Sequence, residues 1–294
     1  MSRYDLTDFE CRVIEPLLPN KPRGVPRVDD RRVLNGIFWV LRSGAPCRDL
    51  PERYGSRTTC YNRFVRWRKA GVWDRLMDAI SAAHDGDIQM IDSTSVRAHQ
   101  QLRRQKGGAD HCLGRSRGGL TTKIHVVVDA QGLPIRLGLT AGHTHDGQIA
   151  DTLLDHLGPR TIVLADKAYD ADRIRGLIQD QGATPNIPPK SNRKWKPCFS
   201  KRLYRERNLI ERFFSKLKHF RRIATRYDKL AANFLAMVQL ASMRLWRVYG
   251  LSGKWLKVGL PGGEPKRLFS LTSFVGYSCI LAKRNPCLQA GKAW

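Results

Sequence analysis

Apolar residues recur every three or four positions through most of the first 80 residues, then every second position, and that change of period divides the chain. LTDFECRVIEPLLP (6–19) predicts an amphipathic helix that ends at proline, with Thr7 and Asp8 as capping candidates. After a Pro/Gly-rich connection, KPRGVPR, the run DDRRVLNGIFWVLRSG predicts a second helix opening on Asp29–Asp30 and closing at Gly44. SRTTCYNRFVRWRKAGVWDRLMDAI predicts two more, broken near Gly71. From residue 86 the pattern is different. DIQMIDSTSV reads as a strand, and TTKIHVVVDAQGLPIRLGLTAG as a β-hairpin around a D-A-Q-G turn. Between them, 97–119 is polar, glycine-rich and basic, and reads as a loop. QIADTLLDHL predicts a helix with Asp146 as a candidate N-cap, TIVLADKAYD a short strand, ADRIRGLIQDQG a helix, and TPNIPP a brief strand. Two helices follow, 204–222 and NFLAMVQLASMRLWRVY.

The order β-β-β-α-β-α-β-α predicts an α/β domain with a mixed sheet at 86–250, behind an all-helical domain at 1–85. Several short helices ending in a basic one suit a helix-turn-helix-like DNA-binding module. In its last stretch Arg63, Arg66 and Arg68 alternate with Tyr61, Phe64 and Trp67. An aromatic core face with a solvated basic face, and a DNA-reading helix, are both compatible with that alternation. Residues 251–294 carry no sustained period and read as a basic tail.

Charge sharpens this picture. The 294 residues carry a formal net charge of +26, a value that favours a polyanionic partner. The excess is local: 193–250 holds 16 Lys and Arg against three acids, whereas 86–192 holds 13 against 11. A polyanion track, with nucleic acid as first candidate, fits better than a generally basic surface. The start MSRYDLTDFE is polar and acidic, which predicts no signal peptide. The longest apolar stretch is interrupted by Gln239 and Arg244 and is too short for a bilayer, so no membrane partner is expected. Seven scattered cysteines without a C-x-x-C pair read as reduced, cytoplasmic residues, with neither a disulfide framework nor a zinc site favoured. The Gly-Gly pairs at 107–108 and 118–119 lack the context of a phosphate cradle, so no nucleotide cofactor is inferred.

Three acids stand where chemistry would want them. Asp92 ends the apolar strand IQMID and Asp166 ends IVLAD, and strand ends in α/β folds expose rigidly placed groups. On a helix over 204–222, Tyr204, Arg207, Glu211, Ser215, Lys218 and Arg222 share a polar sector of about 80°. Ile210, Phe213, Phe214, Leu217 and Phe220 form the core face. Singly, each acid has a plain reading: a strand-end turn residue, or an i,i+4 partner of Arg207. Together they are what a two-metal phosphoryl-transfer site needs, carboxylates holding two Mg²⁺ ions about 4 Å apart while Lys and Arg track phosphates.

Tyr204-x2-Arg207-x3-Glu211-x6-Lys218 resembles the Y-R-E-K signature of insertion-sequence DDE transposases of the family-four and family-five type. IDSTSVRAH, GRSRGGLTTKIHVVVD, THDG and LADKAYD are similar to the other blocks of that group, so the resemblance covers roughly 5–250. It implies an RNase H-like catalytic domain with Asp92, Asp166 and Glu211 as catalytic, metal-binding residues using two Mg²⁺ or Mn²⁺ ions. It further implies hydrolytic nicking at transposon ends, attack of the freed 3′-OH on target DNA, and a homodimer or higher assembly on double-stranded DNA at terminal inverted repeats and target. The 45 residues from Asp166 to Glu211 leave no room for the large insertion domain of some relatives. Arg207, Lys218 and Arg222 would contact DNA, with Tyr204 stacking or packing beside them, and Arg63, Arg66 and Arg68 would serve the N-terminal module. His145 and Asp146 of THDG are site-adjacent candidates, Asp146 alternatively only a helix cap. His99 and His125 read as structural. Arg103, Arg104, Lys106, Arg115 and Arg117 suit phosphates, or merely a solvated loop. Two rival functions remain: a DNA-binding regulator whose acids are inert, as in a decayed transposase, and a stand-alone nuclease of the same fold.

Overall fold

The computed structural model describes residues 4–19, 27–81, 87–104 and 111–250. The expected tail, most of the 21–27 connection and Lys106 to Gly108 lie outside these residues, as do the side chains of Arg103 and Arg104.

The N-terminal helices start and stop where their caps dictate. Helix α1, Asp8–Ile14, opens on a reciprocal capping box: Glu10 N–H donates to Thr7 Oγ1, and Thr7 N–H to Glu10 Oε2 at 2.7 Å. Helix α2, Asp30–Ser43, is capped by Asp29, whose carboxylate accepts from the amides of Arg31 and Arg32. It ends at Gly44 with φ +70°. A Cβ there would lie 2.7 Å from that of Arg221, so glycine serves both the turn and a close approach to the C-terminal half. Helices α3, Arg57–Lys69, and α4, Val72–Ser81, are hinged at Gly71 and locked by Trp73, which stacks on Phe64 and meets Trp67 edge-on.

The sheet is built on β1, Ile88–Ala98. On one side lies β3, Gly119–Val128, antiparallel to it, flanked in turn by β2, Gly114–Ser116, and β4, Pro134–Ala141. On the other side run β5, Ile162–Leu164, and β6, Thr184–Asn186, both parallel, and β7, Thr225–Arg226, joins the far end of β1. An antiparallel meander followed by parallel crossover strands is the RNase H-like arrangement. Asp129 makes the hairpin turn by accepting from the amides of Gln131 and Leu133, with Gly132 at φ +77°.

Helices α5, Ala150–Leu153, and α6, Asp172–Asp180, cover one face, packing Ile174 and Ile178 on Ile91, Val127 and Val163. Helices α7, Lys201–Tyr204, α8, Asn208–Lys218, α9, Arg221–Ala224, and α10, Ala231–Gly250, complete the chain. On the second face Ile210, Phe213 and Leu217 of α8 and Phe234, Val238 and Ala241 of α10 pack on Met90, Val96 and Val126. Leu34, Phe64 and Trp73 belong to that same core, so it runs unbroken into the N-terminal helices.

Several expected elements differ. β1 runs on past Asp92 to Ala98 because its pairing with β3 continues, so Asp92 lies inside a strand and not at its end, and part of the 97–119 loop is regular, with β2 paired to β3. The helix expected at 204–222 is four pieces: α7, a 3₁₀ turn at Arg205–Arg207, α8 and α9. Burial of Phe220, which caps α9 in an extended conformation, breaks the wheel beyond Lys218. The helix after THDG shrinks to a 3₁₀ turn, Asp146–Ile149, and α5, and its cap is His145, not Asp146. Cys11, Cys47, Cys60 and Cys112 are free thiols, but Cys198 is disulfide-bonded, against the expectation of reduced cysteines.

Candidate active site

Side chains alternate along β1, so Met90, Asp92, Thr94 and Val96 share the face that meets α8. The last parallel pair between β1 and β5 is Met90 with Leu164. Asp92, inside β1, and Asp166, just past the end of β5, each stand two residues beyond it. Asp166 accepts from its own turn, Ala168 N–H at 2.8 Å, which fixes its carboxylate at the strand end. Asp92 Oδ1 accepts from Ser93 N–H at 2.8 Å.

Arg207 brings Glu211 into this group. Its guanidinium donates from Nη1 to Asp92 Oδ2 at 2.5 Å and from Nη2 to Glu211 Oε1 at 2.8 Å. It lies 5.6 Å from the Tyr204 ring centroid, and Tyr204 in turn packs edge-on against Phe199. Asp92 and Arg207 are 17% and 16% exposed, Glu211 58%. Burial pushes the Asp92 carboxyl up, aided by the charge of Asp166 and opposed by the Ser93 amide and Arg207. Burial opposes the charge of Arg207, yet Asp92 holds its pKa above the ordinary value. Among the described residues, no group of three or more His, Cys, Asp or Glu stands close enough together to hold a metal ion. Glu211 and Asp92 meet through the Arg207 guanidinium, which donates to both.

On the opposite face of β1, Ser93 and Ser95 lie across from His125 and Lys123 of β3. Lys123 Nζ donates to Asp146 Oδ1 and to Thr144 O, both at 2.8 Å, and Ser93 Oγ donates to Asp146 Oδ1 at 2.9 Å. Burial works against the Asp146 carboxylate, but the bonds from Lys123 and Ser93 bring its pKa below the usual range. Beside it Tyr169 is wholly buried, and burial and the nearby carboxylates raise its hydroxyl well above the ordinary pKa.

A sequence model of the family described as "Transposase DDE domain" matches residues 83–246, more than half of the chain. The chain belongs to the DDE transposase family. A second model, "Putative transposase of IS4/5 family", matches residues 6–77. The transposase is 45% identical over 128 residues to the "Putative transposase for insertion sequence element IS6501" of Brucella ovis, covering 43% of this chain and 98% of that one. It is 42% identical over 112 residues to an insertion element IS402 protein of Burkholderia cepacia, covering 33% of this chain and 76% of that one. Among solved structures it is similar to a piggyBac transposase synaptic complex with hairpin DNA, at TM-score 0.48 and 11% identity, covering 81% of this chain and 70% of that one.

The transposase draws Asp92, Asp166, Arg207 and Glu211 together, with Tyr204 beside them and Lys218 exposed at the end of α8. Other expected residues go elsewhere. Arg222 turns toward Asp228, 3.5 Å away, and lies over the Tyr227 ring, because the helix has broken before it. Arg63 is buried, paired with Asp30 and packed 5.3 Å from the Trp67 ring centroid, so only Arg66 of the basic trio is fully exposed. Asp146 is an ion-pair partner and not a cap, while His145 supplies the cap through Nδ1. His125 is fully buried against Thr140, and His99 stacks on Tyr227, both structural as expected. Sequence reasoning missed Lys123, Ser93 and Tyr169. A lone lysine in the alternating strand TTKIHVVVD was the one available signal. No described helix is long and apolar enough to cross a membrane.

Proposed function

We propose that this transposase hydrolyses the phosphodiester bond at its element's ends and joins the freed 3′-OH to target DNA, with Asp92, Asp166 and Glu211 as the catalytic carboxylates. The observation that carries this reading is the Arg207 guanidinium bridging Asp92 and Glu211, with Asp92 and Asp166 each two residues past the last β1–β5 pair. The donors are all hard carboxylate oxygens, as Mg²⁺ or Mn²⁺ require, and a guanidinium already stands as the cation between two of them. DDE domains use divalent metal ions, and two such ions held here would activate the attacking water or 3′-OH and stabilise the leaving oxygen.

The chain's own residues supply the rest. In the hydrolytic step the P–O3′ bond breaks as water adds to phosphorus, and in the joining step the 3′-OH oxygen replaces a target oxygen on phosphorus. Strand β1 and the turn after β5 hold Asp92 and Asp166 through both steps. Lys218 and exposed Arg212 on α8 face the backbone of double-stranded DNA, and Arg207 exchanges carboxylates for phosphate as DNA arrives. Arg66 and the N-terminal helices hold the terminal repeat. Acting on two ends calls for a homodimer or larger assembly, in the cytoplasm at the nucleoid.

The test compares wild type with Glu211→Gln on a labelled duplex carrying the element's end, with Mg²⁺ or Mn²⁺. The wild type is expected to nick and the variant to bind without nicking. Binding by both with cutting by neither, under either metal, would leave a DNA-binding protein with inert acids.

A further inference from the structure

Ser93 donates twice, in opposite directions through the sheet. Its backbone N–H meets Asp92 Oδ1 at 2.8 Å on the face of Glu211, and its hydroxyl meets Asp146 Oδ1 at 2.9 Å on the other face. Asp146 is held in turn by Lys123 Nζ, which is itself pinned to Thr144 O, each at 2.8 Å. The Lys123 and Asp146 side chains are only 18% and 24% exposed. An ion pair so withdrawn from water gains little net stability, since desolvation cancels most of the attraction. What it does supply is a fixed position. One carboxylate oxygen takes two charge-assisted or polar donors, and Ser93 is thereby held against rotation about β1.

We infer that Ser93, Asp146 and Lys123 are positioning residues that aim the Asp92 carboxylate through the Ser93 peptide. The inference rests on the reading of Asp92 as a metal-holding carboxylate. With Oδ1 occupied by the Ser93 amide, Oδ2 is the oxygen left toward Arg207, and it is the one Arg207 takes. Groups hydrogen-bonded to a metal-holding side chain typically govern metal affinity by about 10–100-fold, and these side chains act one step further out, at the low end of that range. Here the intervening group is a main-chain amide, which sequence patterns cannot display.

The experiment titrates Mn²⁺ into the full-length protein without DNA, following the free-ion signal by electron paramagnetic resonance, with thermal melts as a check on folding. Ser93→Ala and Asp146→Ala are each expected to weaken Mn²⁺ binding by about tenfold. The double variant is expected to lose no more than the weaker-binding single, because both act through one path. Asp146→Asn keeps an oxygen for both donors and is expected to recover most of the affinity. Unchanged Mn²⁺ affinity in folded Ser93→Ala, or losses that simply add in the double variant, would overturn the inference. Asp92→Asn separates the two layers. If it abolishes binding while Ser93→Ala does nothing, only the positioning role fails; if Asp92→Asn leaves binding intact, the metal-holding reading of Asp92 is itself wrong.

Discussion

Replacing Arg207 by methionine keeps most of the side chain's volume and removes the cation between Asp92 and Glu211. Asp92 is 17% exposed and already raised by burial and by Asp166, so losing Arg207 leaves a largely desolvated carboxylate without a counter-charge. Removing one partner of a fully buried ion pair costs about 3–5 kcal/mol. Partial exposure and the ability of Asp92 to take up a proton bring the expected loss to about 2 kcal/mol. For a chain of this size that is a fall in melting temperature of roughly 4–8 °C without metal. Divalent cations should close the gap. In wild type a metal ion must displace the guanidinium from Asp92 Oδ2, whereas in the variant that oxygen is open. Saturation at 100 times the dissociation constant stabilises by about 2.7 kcal/mol, enough to offset the loss. The assay is a thermal melt of both proteins across a Mg²⁺ and Mn²⁺ titration. Arg207→Met should show a lower melting point without metal, a larger metal-induced rise, and a lower metal concentration at half-effect. Equal metal responses in the two proteins would refute the idea that Arg207 and the metal contend for the same carboxylates.

Other outcomes follow from buried charges away from the acids. Asp170 is held by Arg175 and Arg193 and by the Lys190 amide, which outweigh burial and depress its carboxyl to about 2. Its contribution is therefore complete above the unfolded value near 3.8 and is lost as pH falls through about 2. It amounts to about 2 kcal/mol, and Asp170→Asn should remove that acid slope in urea melts while costing about 3 kcal/mol at neutral pH. His125 is depressed by burial from 6.5 to about 4, so only the unfolded chain takes up its proton between those values. Stability should fall by up to about 3 kcal/mol as pH drops from 6.5 to 4, and His125→Gln should flatten that slope. Arg63→Ala should lower the melting point by an amount matching about 2–3 kcal/mol while DNA affinity and its salt dependence stay near wild type; Arg66→Ala should leave the melt unchanged.

Periodicity was enough for most of the fold. The alternation in β1, β3 and β4, the cap residues Thr7 and Asp29, the breaks at Gly44 and Gly71, and the end of β5 just before Asp166 follow from local sterics and hydrogen bonding, which neighbours in sequence decide; the end expected at Asp92 did not, because pairing with β3 carries β1 on to Ala98. The polar face of α8 was legible for the same reason, since Arg207 and Glu211 are one turn apart. That periodicity failed beyond Lys218, where burial of Phe220 outweighed helical continuity and sent Arg222 to Asp228. Arg63 and Arg66 look alike along the chain, yet one is buried against Asp30, 33 residues earlier, and the other faces water.

The sequence by itself thus determined most of the helices and strands and where the candidate acids fall along them, because those depend on spacing and residue type. Tertiary structure alone decided which charges meet. Arg207 reaches Asp92 across 115 residues, Asp146 reaches Ser93 across 53, and Asp170 reaches Arg193 across 23. Those partners are chosen by how α8, the THDG turn and the β6 edge pack on the sheet. In a low-dielectric interior that choice fixes whether a carboxylate is aimed, neutralised or left for a metal ion.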